Sequence, residues 1–520
     1  MAYDPDVAYE ADSTIALGTM SHKCQYCNAF KWEEETSGMC CSAGRVQLSP
    51  FKPLPEPLYS LIMGSHPDMT SFGGKQVLQD GFIPTFKVQG QLHQDLKTTL
   101  DKVSLTCQKF EVVIHADRKP ADAHRGRFNA PIANEVALVI VGQQFDQRDI
   151  VLQSHDNKLR RISEIHRLYD ALQYPLLFCR GEDGYSITIP QRDPQTKLPL
   201  KNLVSAASFY SYRIMIRKRE VNRLVYFRSL FSQFLVNMYA KIETERLNYI
   251  RNNQAQLRAD SYIHLRDAVG RQDADVAQLG QMVVLPSSFT GGPRYMHERT
   301  QDAMTYVRYH GRPDLFITFT CNPKWKDITD ALLPGQKSHD RHDIIARVFH
   351  LKVKKMMALL NKGSLFGKVC CFMYSVEWQK RGLPHIHILL WLEQQRIFPD
   401  MIDKVICAKI PDPVQDSLLH NIVKANMING TCGGLNHNSP CMKEGRCSKR
   451  YPRILLNDTQ TADNGYPLYQ RRSPADGGFT VEINGIELDN CWVVPYNPVL
   501  LRSFNAHVNV ELCSSVKSIK

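Results

Sequence analysis

His385 and His387 stand two residues apart in the run His-Ile-His-Ile-Leu-Leu-Trp-Leu, which reads as a β-strand. Side chains at i and i+2 of a strand leave from the same face, with Cα atoms about 7 Å apart, so two imidazoles there can converge on one metal ion. Ile386, Ile388 and Leu390 then face the other way, into a core. The spacing alone carries little, because 18 histidines in 520 residues give about 0.6 of a His-x-His pair by chance. Context adds to it. Glu377 ends the preceding predicted strand, across a short turn, and can supply a carboxylate. Two neutral imidazoles and one carboxylate leave open positions on a divalent ion such as Mg2+ or Mn2+. Such an ion polarises a phosphoryl oxygen and orients a leaving group. Lys380 and Arg381 lie in the turn, where they can hold a phosphate or serve as ordinary turn charge. Trp378 and Trp391 flank the hairpin, and each can stack a base or pack in the core.

The 15 cysteines form a second chemical signal because they are bunched. Cys24, Cys27, Cys40 and Cys41 have the Cys-x2-Cys spacing followed, twelve residues on, by a Cys-Cys pair. Four thiolates so spaced suit tetrahedral Zn2+. Adjacent Cys40 and Cys41 are awkward, since neighbours on extended chain point apart, and His22 can replace one of them. Cys432, Cys441 and Cys447 supply three further zinc ligands, with His437 a candidate fourth. Residues 1–14 carry Asp4, Asp6, Glu10 and Asp12 and no basic residue, which rules out a secretory signal. The compartment is therefore read as reducing, and thiolate–metal sites outrank disulfides.

These groups need elements to hold them. Residues 314–320 alternate as a strand and run into Asn322-Pro323. Asp340 or Asp343 can cap a helix whose apolar stripe is Ile345, Phe349, Val353, Met356 and Leu360, with Gly363 as its stop. Strands follow at 368–378 and 385–392, joined by a turn at 381–384. Strand, helix and hairpin in that order predict an α+β fold around an antiparallel sheet. Upstream, Phe227, Phe231, Phe234, Leu235, Met238 and Ile242 recur at helical spacing, with Arg228, Lys241 and Glu245 off the stripe. Arg213, Arg217, Lys218 and Arg219 are either phosphate contacts or a solvated helix face. Residues 135–141 and 185–189 read as strands, and 190–199 as a linker. The proline-rich stretch 50–57 marks a boundary.

Length and charge set the frame. A chain of 520 residues accommodates about three or four domains. The expected division is 1–57, a zinc-finger-like segment; 58–200, a mixed accessory domain; 205–395, the domain of the paired histidines; and 396–520, a Cys-rich insertion with a last sheet strand. No apolar run approaches the roughly 18 residues of a membrane helix. The net charge of +12 fits a phosphate-backbone binder without requiring one.

Five stretches in order carry a family resemblance. They are Pro313-Asp-Leu-Phe-Ile-Thr-Phe-Thr-Cys-Asn-Pro-Lys-Trp325, then Glu377 through Leu392, then Cys441-Met-Lys-Glu-Gly-Arg-Cys-Ser-Lys449, then Val493-Val-Pro-Tyr-Asn-Pro498, and last Ala506-His-Val-Asn-Val-Glu511. Together they resemble the N-terminal, helicase-like region of eukaryotic Helitron transposases, most closely over 205–392. The Cys24–Cys41 cluster also resembles that family's N-terminal finger. The resemblance implies a rolling-circle replication-initiator, or HUH endonuclease, fold in a nuclear protein acting on single-stranded DNA at transposon ends. A metal held by the paired histidines, here His385 and His387 with Glu377 as candidate third ligand, would activate a scissile phosphate. A tyrosine would attack it and become linked to the 5′ end. Thr318 and Thr320 match the strand beside the metal strand. The family's histidine three residues before the first cysteine of the second cluster is replaced by Asn429, a poor zinc ligand.

In the family a helix with two tyrosines follows the strand matching 507–512, and a DNA helicase region lies beyond. Here Ser514 or Ser515 can cap a helix beginning at 516–520, and the sequence ends at Lys520. The expectation is a chain cut before the tyrosine helix and inactive in nicking. Tyr496, between two prolines, and Tyr374, on the strand leading to Glu377, are expected to be structural. Two other classes fit the same residues: a domesticated, non-catalytic zinc-finger DNA-binding protein, and a metallohydrolase using His385, His387 and Glu377 on a substrate other than nucleic acid.

Overall fold

The computed structural model describes residues 3–12, 14–56, 58–63, 75–76, 86–87, 111–113, 138–139, 149–153, 159–218, 220–253, 282–283, 285–362, 365–380, 382–393, 399–430, 432, 436–439, 441–462 and 467–513. Arg219, Gly363, Arg381 and the stretch 514–520 lie outside these residues, as does the expected 135–141 strand except Leu138 and Val139. The chain divides into two units. One comprises Met1–Ser21, Trp32–Glu35 and Thr300–Lys520, the other His22–Lys31 and Thr36–Arg299. Among the described residues no helix is long and apolar enough to cross a membrane.

The first unit is built on four strands: β1 (Leu315–Thr320), β2 (Val369–Trp378), β3 (Pro384–Leu392) and β4 (Val508–Leu512). They form one antiparallel sheet in the order β2-β3-β1-β4. Each strand lies within a residue of its expected bounds. Helices α1 (Pro293–His310) and α2 (His342–Lys362) accompany the sheet in the chain, one ahead of β1 and the other between β1 and β2. The alternation decides which sheet face is covered. Leu315, Ile317 and Phe319, Ile386, Ile388 and Leu390, and Val508 and Val510 all have 0% exposure. The α2 stripe of Ile345, Phe349, Val353, Met356 and Leu360 is buried in the same core, with Phe349 stacked 5.4 Å from Phe319. Each such side chain stabilises the sheet by about 1.5–3 kcal/mol, so a one-residue slip of register would be very costly. Asp343, in the first turn of α2, takes two bonds from the buried Arg341 guanidinium, at 2.9 and 2.8 Å.

In the second unit, helix Ala206–Ile214 starts on Ser205, whose hydroxyl accepts the Ser208 N–H, and helix Arg228–Asn252 follows. Phe231, Phe234 and Met238 are buried as their spacing predicts, while Leu235 and Ile242 are half-buried. Three expectations fail here. Lys241, read as off the stripe, is 1% exposed and paired with Asp170 at 2.8 Å. Residues 185–189 are not a strand. Tyr185 is buried there and donates to Glu245 at 2.7 Å. The expected linker 190–199 belongs instead to a hairpin of Pro190–Arg192 with Pro199–Leu203. Its turn is made by Asp193, whose carboxylate accepts the N–H groups of Gln195 and Thr196 at 2.9 and 2.7 Å. Such a side-chain turn is invisible to a reading that counts prolines. Mixed helices and antiparallel sheets make the fold α+β.

Candidate metal centre

The register of the sheet builds the site. Glu377 of β2 is directly opposite His385 of β3, and Thr320 of β1 lies on its other side. One pair along, Ser375, His387, Thr318 and Asn509 form a second row across all four strands. Residues paired across a sheet share a face, so both rows project from the face opposite the apolar core. Glu377, His385 and His387 each bring a ligand atom within 4.8 Å of the others. The two Nε2 atoms are 3.1 Å apart, and Glu377 Oε2 lies 3.5 Å from that of His385 and 3.9 Å from that of His387. Two nitrogens held at about 2.1 Å by one ion, at angles of 90–109°, lie about 3.0–3.4 Å apart. The donor set therefore fits a divalent cation.

His387 is fixed from behind. Its Nδ1 lies 3.0 Å from Thr318 Oγ1, and its ring stacks on Phe316 at 5.3 Å. A partner on the far nitrogen is what orients a metal-binding imidazole. Burial lowers the His387 pKa from 6.5, and His385 lowers it further against the opposing pull of Glu377, so the ring is neutral and able to ligate at neutral pH. His385 Nδ1 is buried with no hydrogen-bond partner among the described residues. The β2–β3 turn is closed by the Gln379 N–H on Leu383 O and the Gly382 N–H on Gln379 O. Gly382 has φ +81°, which favours glycine, and a Cβ there would lie 2.4 Å from His342 Nε2 and displace that ring. Lys380 is exposed in this turn.

The other named residues separate cleanly. Trp391 is buried and its indole N–H donates to Gly311 O, whereas Trp378 is 54% exposed and remains available for stacking. Thr320 is buried. Tyr496 is fully buried, with its hydroxyl donating to Lys409 O at 2.9 Å. Tyr374 is on the strand face opposite Glu377. Arg213 donates to Ser49 O at 2.7 Å, and the buried Arg217 covers the Tyr212 ring at 3.6 Å, so both are taken up in packing.

Both cysteine groups assemble. Cys24, Cys27, Cys40 and Cys41 bring four sulfurs together, and His22 is not among them. Cys24 and Cys41 are 3.7 Å apart, and Cys27 and Cys40 3.5 Å. The adjacent pair converges because the chain turns there, with Ser42 and Ala43 at φ 49° and 56°. Hydrogen bonds from Cys40 and Cys41 pull the Cys27 thiol far down, while sharing that proton pushes Cys40 up. The Cys27 thiolate forms readily, whereas Cys40 and Cys41 hold their protons without a nearby cation. Cys432, Cys441 and Cys447 form the second group, brought together by a hairpin over Glu444-Gly445. The hydrogen bond from Ser448 N to Cys441 O closes it at 2.8 Å. His437 does not join the group, and the Asn429 backbone N–H donates to Trp492 O. Each cysteine group can hold a metal ion such as zinc.

No curated protein matches the chain. Residues 209–390, which include Glu377, His385 and His387, match the family model described as the Helitron helicase-like domain at N-terminus. That match supports a Helitron-related protein.

Proposed function

We propose that the chain is a Helitron-derived rolling-circle initiator domain of HUH type. It holds a divalent metal on Glu377, His385 and His387 and binds single-stranded DNA beside it, the binding part of nicking and strand transfer in transposition, and is itself inactive in nicking. The observation that carries this reading is the convergence of one carboxylate and two imidazoles on the open face of an otherwise core-forming sheet. When bound, Mg2+ or Mn2+ supplies charge that polarises a scissile phosphate. The chain's own residues do the rest. Thr318 and Phe316 hold the His387 ring, and register holds His385 opposite Glu377. Lys380 and Arg381 neutralise backbone phosphates, and the exposed Trp378 offers a face for a base. The cysteine groups bind Zn2+. The protein acts in the nucleus, together with a DNA helicase activity.

Neither Tyr374 nor Tyr496 is a nucleophile in this reading, one facing away and the other sealed in the core. A phosphotyrosine link needs the oxygen within about 3–3.5 Å of phosphorus. The 520-residue chain should therefore bind a labelled single-stranded oligonucleotide, more weakly as salt rises. Binding should strengthen with Mn2+ in the parent and not in His385→Ala. A denaturing gel should reveal no covalent adduct. Equal affinity for duplex, or indifference to Mn2+ in the parent, overturns the reading. An adduct abolished by Tyr374→Phe or Tyr496→Phe overturns the tyrosine assignment. The four-sulfur cluster favours a second reading, a non-catalytic zinc-finger DNA-binding protein. In that case chelation of zinc abolishes binding and His385→Ala leaves it unchanged.

A further inference from the structure

The sheet face that carries His385 and His387 also carries Trp391, two pairs farther along β3 beyond Leu389. At that end His310, Cys370 and Cys371 each bring one ligand atom within 4.8 Å of the others. Adjacent residues on a regular strand point to opposite faces, so neighbouring cysteines ordinarily cannot share a site. Here the ladder is irregular. Val369 pairs with Leu392 and Cys371 with Trp391, so β2 advances two residues while β3 advances one. Cys370 is the extra residue of a β-bulge, the device by which a strand re-aims a side chain. It brings both thiols to one side.

The imidazole arrives from a different element. His310 is the last residue of α1, and the next residue, Gly311, accepts the Trp391 indole N–H at 3.0 Å. Tyr306, one turn earlier, packs 6.2 Å from the Trp391 ring. The end of α1 is thus anchored on the cross-strand partner of Cys371. His310 lies between Tyr306, stacked at 6.3 Å, and Tyr309, edge-on at 4.7 Å, and its Nδ1 is 3.5 Å from Cys370 Sγ. Two sulfurs and one imidazole are borderline-soft donors with no carboxylate among them, the set that selects Zn2+ over Mg2+ or Mn2+. His310 and Cys370 are exposed, so a fourth position faces solvent.

We propose that His310, Cys370 and Cys371 form a zinc site with three protein ligands and one open coordination position. It lies on the same sheet face as the histidine–carboxylate centre, roughly 13 Å along the strand, taking four residues at 3.3 Å each. The bulge exists to pair the thiols, and the site ties the end of α1 to the sheet edge.

The test counts zinc in the full chain. Protein loaded with Zn2+ in a phosphine reductant is desalted and assayed by plasma mass spectrometry. Cys370→Ser with Cys371→Ser should hold about one fewer Zn2+ per chain than the parent. Loaded with Co2+ instead, the same variant should lose part of the sulfur-to-cobalt absorption. His310→Gln changes only an exposed helix end and should also lose that zinc, which keeps the test valid if the double variant folds poorly. Mn2+ binding at Glu377, His385 and His387 should stay at the parent level, since that centre has no sulfur. An unchanged zinc count in folded His310→Gln and in the double variant overturns the proposal.

Discussion

The thiol group at Cys24–Cys41 and the Glu377, His385 and His387 centre are equally compact, yet they are positioned by different means. The thiols sit in turns, with only the two-residue strands His22–Lys23 and Phe30–Lys31 beside them. Their placement rests on local bonds such as the Cys24 N–H on Ala29 O and the Gly44 N–H on Cys41 Sγ, and on a few long-range ones such as the Phe30 N–H on Ile216 O. Gly44, at φ +88°, would carry a Cβ 2.8 Å from the Tyr26 ring, so even this loop is tightly set. The histidine centre stands on a nine-residue strand whose opposite face, Ile386, Ile388 and Leu390, is at 0% exposure, and Glu377 is set beside it by the register of the ten-residue edge strand. Core burial has already fixed its geometry before any ion binds. A loop with little regular strand pairing draws much of its order from the metal, whereas a sheet lends its order to the metal.

The largest expected effect breaks the comparison on the thiol side. Removing zinc with a chelator should unfold 22–45 while β1–β4 stay protected in hydrogen exchange. Zinc binding to such thiol sets is worth about 10–16 kcal/mol, nearly all of it coupled to folding. Unchanged exchange in 22–45 would show that the loop holds itself.

Next comes the sheet. His385→Ala or His387→Ala should abolish the rise in Tm that Mn2+ gives the parent. In metal-free protein the cost should be only about 1–2 kcal/mol, because the strands keep their core face. A large loss of Tm in a variant of a parent that never responded to Mn2+ would make these core histidines and not ligands.

The smallest effect is the share of a pH dependence that the sheet contributes through His387. Burial and His385 keep His387 neutral below the ordinary 6.5. As pH falls through 6.5, the unfolded chain takes up a proton that the folded chain refuses, so stability declines with falling pH. The decline levels off once the folded His387 also protonates. Urea midpoints of metal-free protein between pH 7.5 and 5 should trace this slope, to which His342 and His350 add, and His387→Gln should make it shallower. An identical slope in the variant would remove His387 as its source.

Much of the fold was legible locally. The period-two alternation of 314–320 and 385–392 and the stripe from Ile345 to Leu360 depend on neighbours a few residues away, which is why strands and helix fall where expected. His385 and His387 share a face for the same reason, and Glu377 comes opposite because a short turn sets the pairing. The four cysteines are legible by spacing, though the turn that reconciles Cys40 with Cys41 is not. Other features join residues far apart in sequence. Lys241 looks like surface charge until Asp170, with Tyr210 donating to the same carboxylate at 2.9 Å, meets it in the core. Thr318 becomes the orienting partner of His387 only when β1 and β3 pair. Cys370 and Cys371 are neighbours on a strand, which ordinarily point apart, until a bulge turns them together and a helix end sixty residues upstream brings His310 to them. Patterning by neighbours is written in the sequence because hydrophobic burial repeats with the period of each element. Meetings between elements depend on packing and register, which only the assembled sheet and helices decide.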